Sequence, residues 1–100
     1  MARNPGTNKN GGGFDEATIE AVWRKGTPEP GLTNYRKDTC GASMLRSKHG
    51  DTVQYGWEID HIYPVSRAGT DDLGNLQPLQ WENNRNKGDS TSGNYCKVRS

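Results

Sequence analysis

The chain has 100 residues, of which only 29% are AVILMFWYC, and 13 Lys and Arg nearly cancel 12 Asp and Glu to leave a formal charge of +1. That length supports one small domain, and a mean hydropathy of -1.07 makes its core depend on three Trp, four Tyr and one Phe. The composition excludes a bilayer-spanning segment, because no apolar run is long enough, and a nucleic-acid binder that works through a large basic surplus.

In chain order, residues 1–13 (MARNPGTNKNGGG) have almost nothing to bury and read as a disordered leader. FDEATIEAVWRKG predicts a helix, with Asp15 as N-cap, Glu16 favourable to the dipole and Gly26 as the stop. Ile19, Val22 and Trp23 give it one apolar face, and Phe14 and Ile19 are placed for a hydrophobic staple. GTPEPG, with two Pro and two Gly, permits neither helix nor strand interior. DTCGASML reads as a turn followed by a short strand, and KHGD as a turn with His49 on the surface.

TVQYGWEID alternates, which predicts a strand with Val53, Tyr55, Trp57 and Ile59 on one face and Gln54, Glu58 and Asp60 on the other. By parity His61 points away from Asp60, so the two serve one site only if the strand ends or bends there. Pro64 makes an ending plausible. SRAGTDD is a loop, NLQPL a second short extended piece, and WENNRNKG a short polar helix that needs packing through Trp81 to persist. Residues 90–100 read as a loosely ordered tail that Tyr95 and Val98 can tack down. With only two cysteines, Cys40 and Cys96, there is no disulfide framework, and free thiols are expected. The absence of a span or a signal-peptide core points to the cytoplasm.

Taken alone, Asp60–His61 at a strand end reads as a surface ion pair, half of a metal site, or a metal ligand beside a general base. The wider register decides. His61, Asn75 and Asn84 are spaced by fourteen and nine residues, and Lys87 follows three later. DHI-x-P-x-S, NLQ-x-L and N-x-x-K occur in order within residues 57–89, a third of the chain. This stretch resembles the HNH nuclease family. The resemblance implies an α+β fold, a small single domain over residues 14–89 with a ββα-metal hairpin-helix core plus the N-terminal packing helix. It further implies that Asp60 ligates a divalent cation, that His61 activates water as general base, and that Asn75 braces the loop carrying the His. Asn84 matches the second metal ligand, because Lys87 then lies one turn away on the same helical face.

Lys87 reads as a phosphate contact or as a cation suited to a helix C-terminus. Arg85 and Arg67 read as phosphate contacts or as solvated surface, and Glu58 as an orienting group or a solvated strand residue. The zinc-stabilised branch of the family carries two cysteine pairs. Here Cys40 is followed by Ser43, and Gln80 and Asn83 stand where the second pair would be, so no structural zinc is expected.

A carboxylate and an amide oxygen suit one Mg²⁺ or Mn²⁺, with Zn²⁺ or Ni²⁺ as alternative occupants. A neutral imidazole can take a proton from water at physiological pH. The expectation is therefore a metal-dependent endonuclease acting on DNA as a monomer or weak dimer, without a membrane, its sequence specificity low or supplied by a larger protein partner. The near-neutral charge keeps a second reading open: a catalytically weak nucleic-acid-binding or assembly module that retains the hairpin.

Overall fold

The computed structural model describes residues 4–100. Helix α1 (Glu16–Trp23) starts where Asp15 accepts a hydrogen bond from the Thr18 N–H, and Ile19, Val22 and Trp23 are buried along one face. Its apolar stripe packs with Met44, Trp57, Ile59 and Leu76, and Phe14 covers the edge of this core. The Trp23 and Trp57 rings lie 5.1 Å apart, so the apolar payload of this polar chain is concentrated in one aromatic contact.

Strands β1 (Thr27–Glu29), β2 (Leu32–Lys37) and β3 (Ser43–Leu45) form a three-stranded antiparallel sheet in the order β1-β2-β3. This corrects the reading of GTPEPG as barred from strands. Pro28 sits beside the β1/β2 register shift, and Gly31, with φ of 79°, turns the chain back. An edge strand tolerates the missing proline donor.

Strands β4 (Trp57–His61) and β5 (Leu76–Gln80) pair antiparallel, with Trp57 opposite Gln80 and His61 opposite Leu76. Helix α2 (Trp81–Lys87) follows β5 directly, and the Gln80 side chain caps it by accepting from the Glu82 and Asn83 N–H groups. The strand expected from Thr52 begins only at Trp57. Tyr55 has a φ of 67°, and a Cβ at Gly56 would run into the Asp51 carbonyl, so residues 53–56 form a turn.

β4 is buried on both faces. Trp57 and Ile59 meet the core under α1, whereas Glu58 and Asp60 meet α2. Parity thus holds, but the face expected to be polar and open is roofed by a helix.

The Asp38 carboxylate, 5% exposed, joins the two halves of the domain. Oδ1 accepts from the N–H groups of Cys40 and Ala42, each at 2.9 Å. Oδ2 accepts from the Gln80 N–H at 2.9 Å and the Asn83 amide at 3.0 Å. Asn83 Oδ1 in turn accepts from the N–H groups of Lys97 and Val98.

Cys40 and Cys96 are joined in a disulfide with a Cα–Cα distance of 5.5 Å, which corrects the expectation of free thiols. Spacing alone cannot reveal that Asn83 brings the tail beside the 38–42 turn. Such a bond persists in oxidising surroundings, and a reducing cytoplasm would open it. The tail is further held by Tyr95, whose hydroxyl lies 3.2 Å from Thr39 Oγ1 and whose carbonyl accepts from Asn86.

Of the expected leader, residues 1–3 lie outside the described residues. Residues 4–13 run along the domain surface, with a turn closed by the Gly11 N–H on the Asn8 carbonyl. Gly6, at φ of 75°, passes close to the Glu58 Cβ. No helix among the described residues is long and apolar enough to cross a membrane.

The disulfide closes a sequence separation of 56 residues. Cys96→Ser is expected to lower unfolding free energy by about 2–4 kcal/mol, as is dithiothreitol treatment of the wild type, both measured by urea denaturation. Equal stability of the oxidised and reduced forms would remove the bond from the account.

Candidate active site

The site lies where β4 ends. Ile62 donates its N–H to the Asn75 carbonyl at 2.8 Å, after which the chain leaves the sheet for a long loop that returns at Leu76. Asn75 pins both ends of that loop. Its Oδ1 accepts from the Tyr63 N–H at 2.8 Å, and its Nδ2 donates to the Tyr63 and Thr70 carbonyls. Lys25, at the end of α1, donates its ammonium to the Leu73 and Leu76 carbonyls and holds the same loop from outside. Within the loop Ala68 adopts φ of 70°, a left-handed conformation that glycine would enter at lower cost.

Asp60, His61, Asn84 and Arg85 line one cavity of about 400 Å³, together with Ser66 and residues 4–6 of the N-terminal segment. Arg67 stands exposed on the adjacent Val65–Arg67 turn, while Asn75 and Lys87 lie outside the cavity wall.

Asp60 is 5% exposed. Its Oδ2 accepts from Gln77 Nε2 at 2.9 Å, and its Oδ1 pairs with Lys87 Nζ at 3.2 Å. Burial pushes its pKa up and outweighs the opposing pull of the Gln77 hydrogen bond and the Lys87 charge. The ionised form is therefore held at some cost, which a second cation would reduce. As pH falls, Asp60 takes up its proton earlier than an exposed aspartate. Cation affinity should weaken in the same sense.

Lys87 is 4% exposed and also donates to the His61 carbonyl at 2.9 Å. Its ammonium points into the protein between β4 and α2, so the residue holds the site together and does not reach toward a phosphate.

Glu58 governs Asn84. Its Oε1 accepts from Asn84 Nδ2 and its Oε2 from Arg85 Nη2, both at 2.9 Å. A carboxylate can only accept, so the amide NH₂ must face Glu58 and Oδ1 must face away. That oxygen accepts no hydrogen bond among the described residues and is left available as a ligand. Arg85 is half exposed, paired to Glu58, with its guanidinium 5.6 Å from the Trp81 ring centre.

His61 Nε2 lies 2.7 Å from Asp71 Oδ1. Since the carboxylate accepts, the ring proton of neutral His61 resides on Nε2, and Nδ1 keeps its lone pair. Among the described residues Nδ1 has no hydrogen-bond partner. Phe14 supports the ring at a centroid distance of 6.0 Å.

Asp71 and Gln77 escaped sequence reasoning. Asp71 sits in a loop whose register to His61 cannot be read from spacing. Gln77 could have been found, because it is the direct cross-strand neighbour of Asp60 once β4 and β5 are paired.

No group of three or more His, Cys, Asp or Glu side chains converges among the described residues. The candidate ligands are the Asp60 carboxylate and the Asn84 amide oxygen, with Asp89 and the His61 ring also lining the cavity. The two oxygens fit a hard ion such as Mg²⁺ or Mn²⁺ that keeps several waters.

The Lys87–Asp60 pair is buried at both ends. Lys87→Ala is expected to cost about 3–5 kcal/mol in urea unfolding, and Asp60→Ala in the same chain should recover part of the loss. A Lys87→Ala loss below about 1 kcal/mol, the scale of exposed pairs, would show that this ion pair does not hold α2.

A family model described as HNH endonuclease matches residues 47–93. No curated protein and no solved structure matches the chain. The matched region contains both strands of the hairpin, its long loop and α2, hence every side chain facing the cavity except those of the N-terminal segment. Residues 47–93 thus match the HNH endonuclease family, whose chemistry is cleavage of nucleic acid.

Proposed function

We propose that this chain is a divalent-metal-dependent endonuclease that hydrolyses DNA phosphodiester bonds. The observation that carries the reading is the convergence of Asp60, His61 and Asn84 on one cavity, with the His61 ring held so that Nδ1 is the free base.

Asp60 and Asn84 Oδ1 would hold the cation, which when bound supplies charge neutralisation at the phosphoryl oxygens and at the departing oxygen. His61 Nδ1 takes a proton from water as the water oxygen attacks phosphorus in line. The phosphorus–3′-oxygen bond breaks, the 3′-oxygen takes up a proton from solvent, and the imidazolium returns its proton to solvent. The products are a 5′-phosphate and a 3′-hydroxyl. Asn75 keeps the loop behind His61 in place, and Glu58 keeps the Asn84 oxygen turned to the cavity.

One hairpin offers one scissile site, so the chain nicks as a monomer. Arg85 and Arg67 are the cations near the cavity that can meet the flanking phosphates. With a formal charge of +1, binding to DNA is weak and falls steeply with salt. Sequence specificity is correspondingly low or comes from a larger protein partner.

Purified protein should convert supercoiled plasmid to open circles with Mg²⁺ or Mn²⁺ and stop when EDTA is added. His61→Ala should slow nicking about 10²–10⁴-fold, the range of general-base help. Plasmid left intact across a metal series would replace this reading with that of a binding or assembly module, and equal cutting by His61→Ala would dismiss His61 as the base.

A further inference from the structure

We infer that Asp71 is the positioning residue of the reaction: its carboxylate fixes the His61 ring and its tautomer, and the backbone N–H of Lys9 fixes Asp71. The inference rests on the endonuclease reading for its catalytic meaning, while the hydrogen-bond chain itself can be tested without activity.

The geometry is a relay of two contacts. His61 Nε2 lies 2.7 Å from Asp71 Oδ1. The Lys9 N–H donates to both carboxylate oxygens of Asp71, at 3.0 Å to Oδ1 and 3.2 Å to Oδ2. The loop around Asp71 is held on either side, by Asn75 Nδ2 on the Thr70 carbonyl and by the Asn75 N–H on the Asp72 carbonyl. Lys9 is placed by its own turn, since Asn8 Oδ1 accepts from the N–H groups of Asn10 and Gly12.

An imidazole has two ring nitrogens, and only one can be the base. A carboxylate on Nε2 selects the tautomer whose lone pair is on Nδ1, and it stabilises the imidazolium formed when that lone pair takes a proton. Without Asp71 the ring can rotate about its bond to Cβ and can carry its proton on either nitrogen. Asp71 lies outside the cavity lining and acts through His61 alone. The polar N-terminal segment thereby acquires a task. It braces the base through one main-chain donor, and its residues 4–6 also form part of the cavity wall.

The test is a double-mutant cycle in full-length protein, with plasmid nicking followed under saturating Mn²⁺. Asp71→Ala should lower kcat by about 10²-fold, within the range of general-base catalysis, with KM for plasmid little changed. Asp71→Asn should also lose activity, by at least about tenfold, because its NH₂ can bond Nε2 and favour the wrong tautomer. In a His61→Ala background, Asp71→Ala should have no further effect, as expected of residues acting as one unit.

Lys9→Pro removes the donor together with the lysine charge, at the second position of the Asn8–Gly11 turn where proline is favoured, and should give a smaller loss in kcat that Lys9→Ala, which keeps the N–H, does not reproduce. Long-range ¹H–¹⁵N spectra supply the readout that needs no turnover. Wild-type His61 should be the Nε2–H tautomer with a slowly exchanging ring proton, and Asp71→Ala should lose that protection. Wild-type activity with Asp71→Ala within about twofold of it, an equal loss in the His61→Ala background, or an unchanged His61 spectrum in Asp71→Ala would each overturn the inference. An inert wild type that retains the protected ring proton would instead sink the endonuclease reading and leave the hydrogen-bond relay standing.

Discussion

The buried ammonium of Lys87 is the constraint on which the site depends. Helix α2 has seven residues, too few to persist alone in water, yet it carries Asn84 and closes one face of β4. Lys87 ties its last turn to the end of β4 by two contacts at once, the Asp60 carboxylate and the His61 carbonyl. One side chain thus sets the distance of the helix from the strand. It also orients the carboxylate proposed to hold the cation and the backbone of the residue proposed to be the base. A charge so placed would be expensive without its partner, which gives the helix one preferred seat and not a range of them.

The opposite end of α2 is held by a carboxylate. Asp38 receives four hydrogen bonds, two from its own turn and two from the residues that start the helix. Gln80 and Asn83 are both among its donors. A hydrogen-bonded anion therefore joins the 38–42 turn to the start of α2. The Cys40–Cys96 bond and the Asn83 contacts then secure the tail to the same knot. Polar staples of this kind suit a chain with so little apolar surface to bury.

Much of this was legible in advance, and the limits have physical causes. α1 could be read because its cap, staple and apolar stripe are local signals. The Asp60, His61, Asn75, Asn84 and Lys87 register was legible through the resemblance of residues 57–89 to the HNH family, and of these five Asp60, His61 and Asn84 line the cavity. The start of β4 was placed five residues too early, since nothing local reveals that Tyr55 is left-handed or that Gly56 abuts the Asp51 carbonyl. β1 was hidden by its proline, whose penalty vanishes at a sheet edge. The disulfide and the Asp71–His61 contact depend on tertiary placement of a tail and a loop, and no periodicity reports that. Lys87 read as a phosphate contact or a helix C-terminal cation because its burial is created by Asp60, a partner on another element.

Chemically, the site separates its tasks. Asn84 and His61 each have one atom committed to the scaffold and another left for the reaction. Asn84 gives its NH₂ to Glu58 and keeps Oδ1, and His61 gives Nε2 to Asp71 and keeps Nδ1. The claim beneath the proposed activity is that Asp60 and the Asn84 oxygen hold a single ion beside the free His61 nitrogen. Titration of ¹⁵N-labelled protein with substoichiometric Mn²⁺ tests it directly, because the paramagnetic ion broadens the amides nearest to it. The account predicts that resonances of Asp60, His61 and Asn84 broaden first, with Asp60→Ala abolishing the effect. Broadening centred elsewhere, or unchanged in Asp60→Ala, would contradict it.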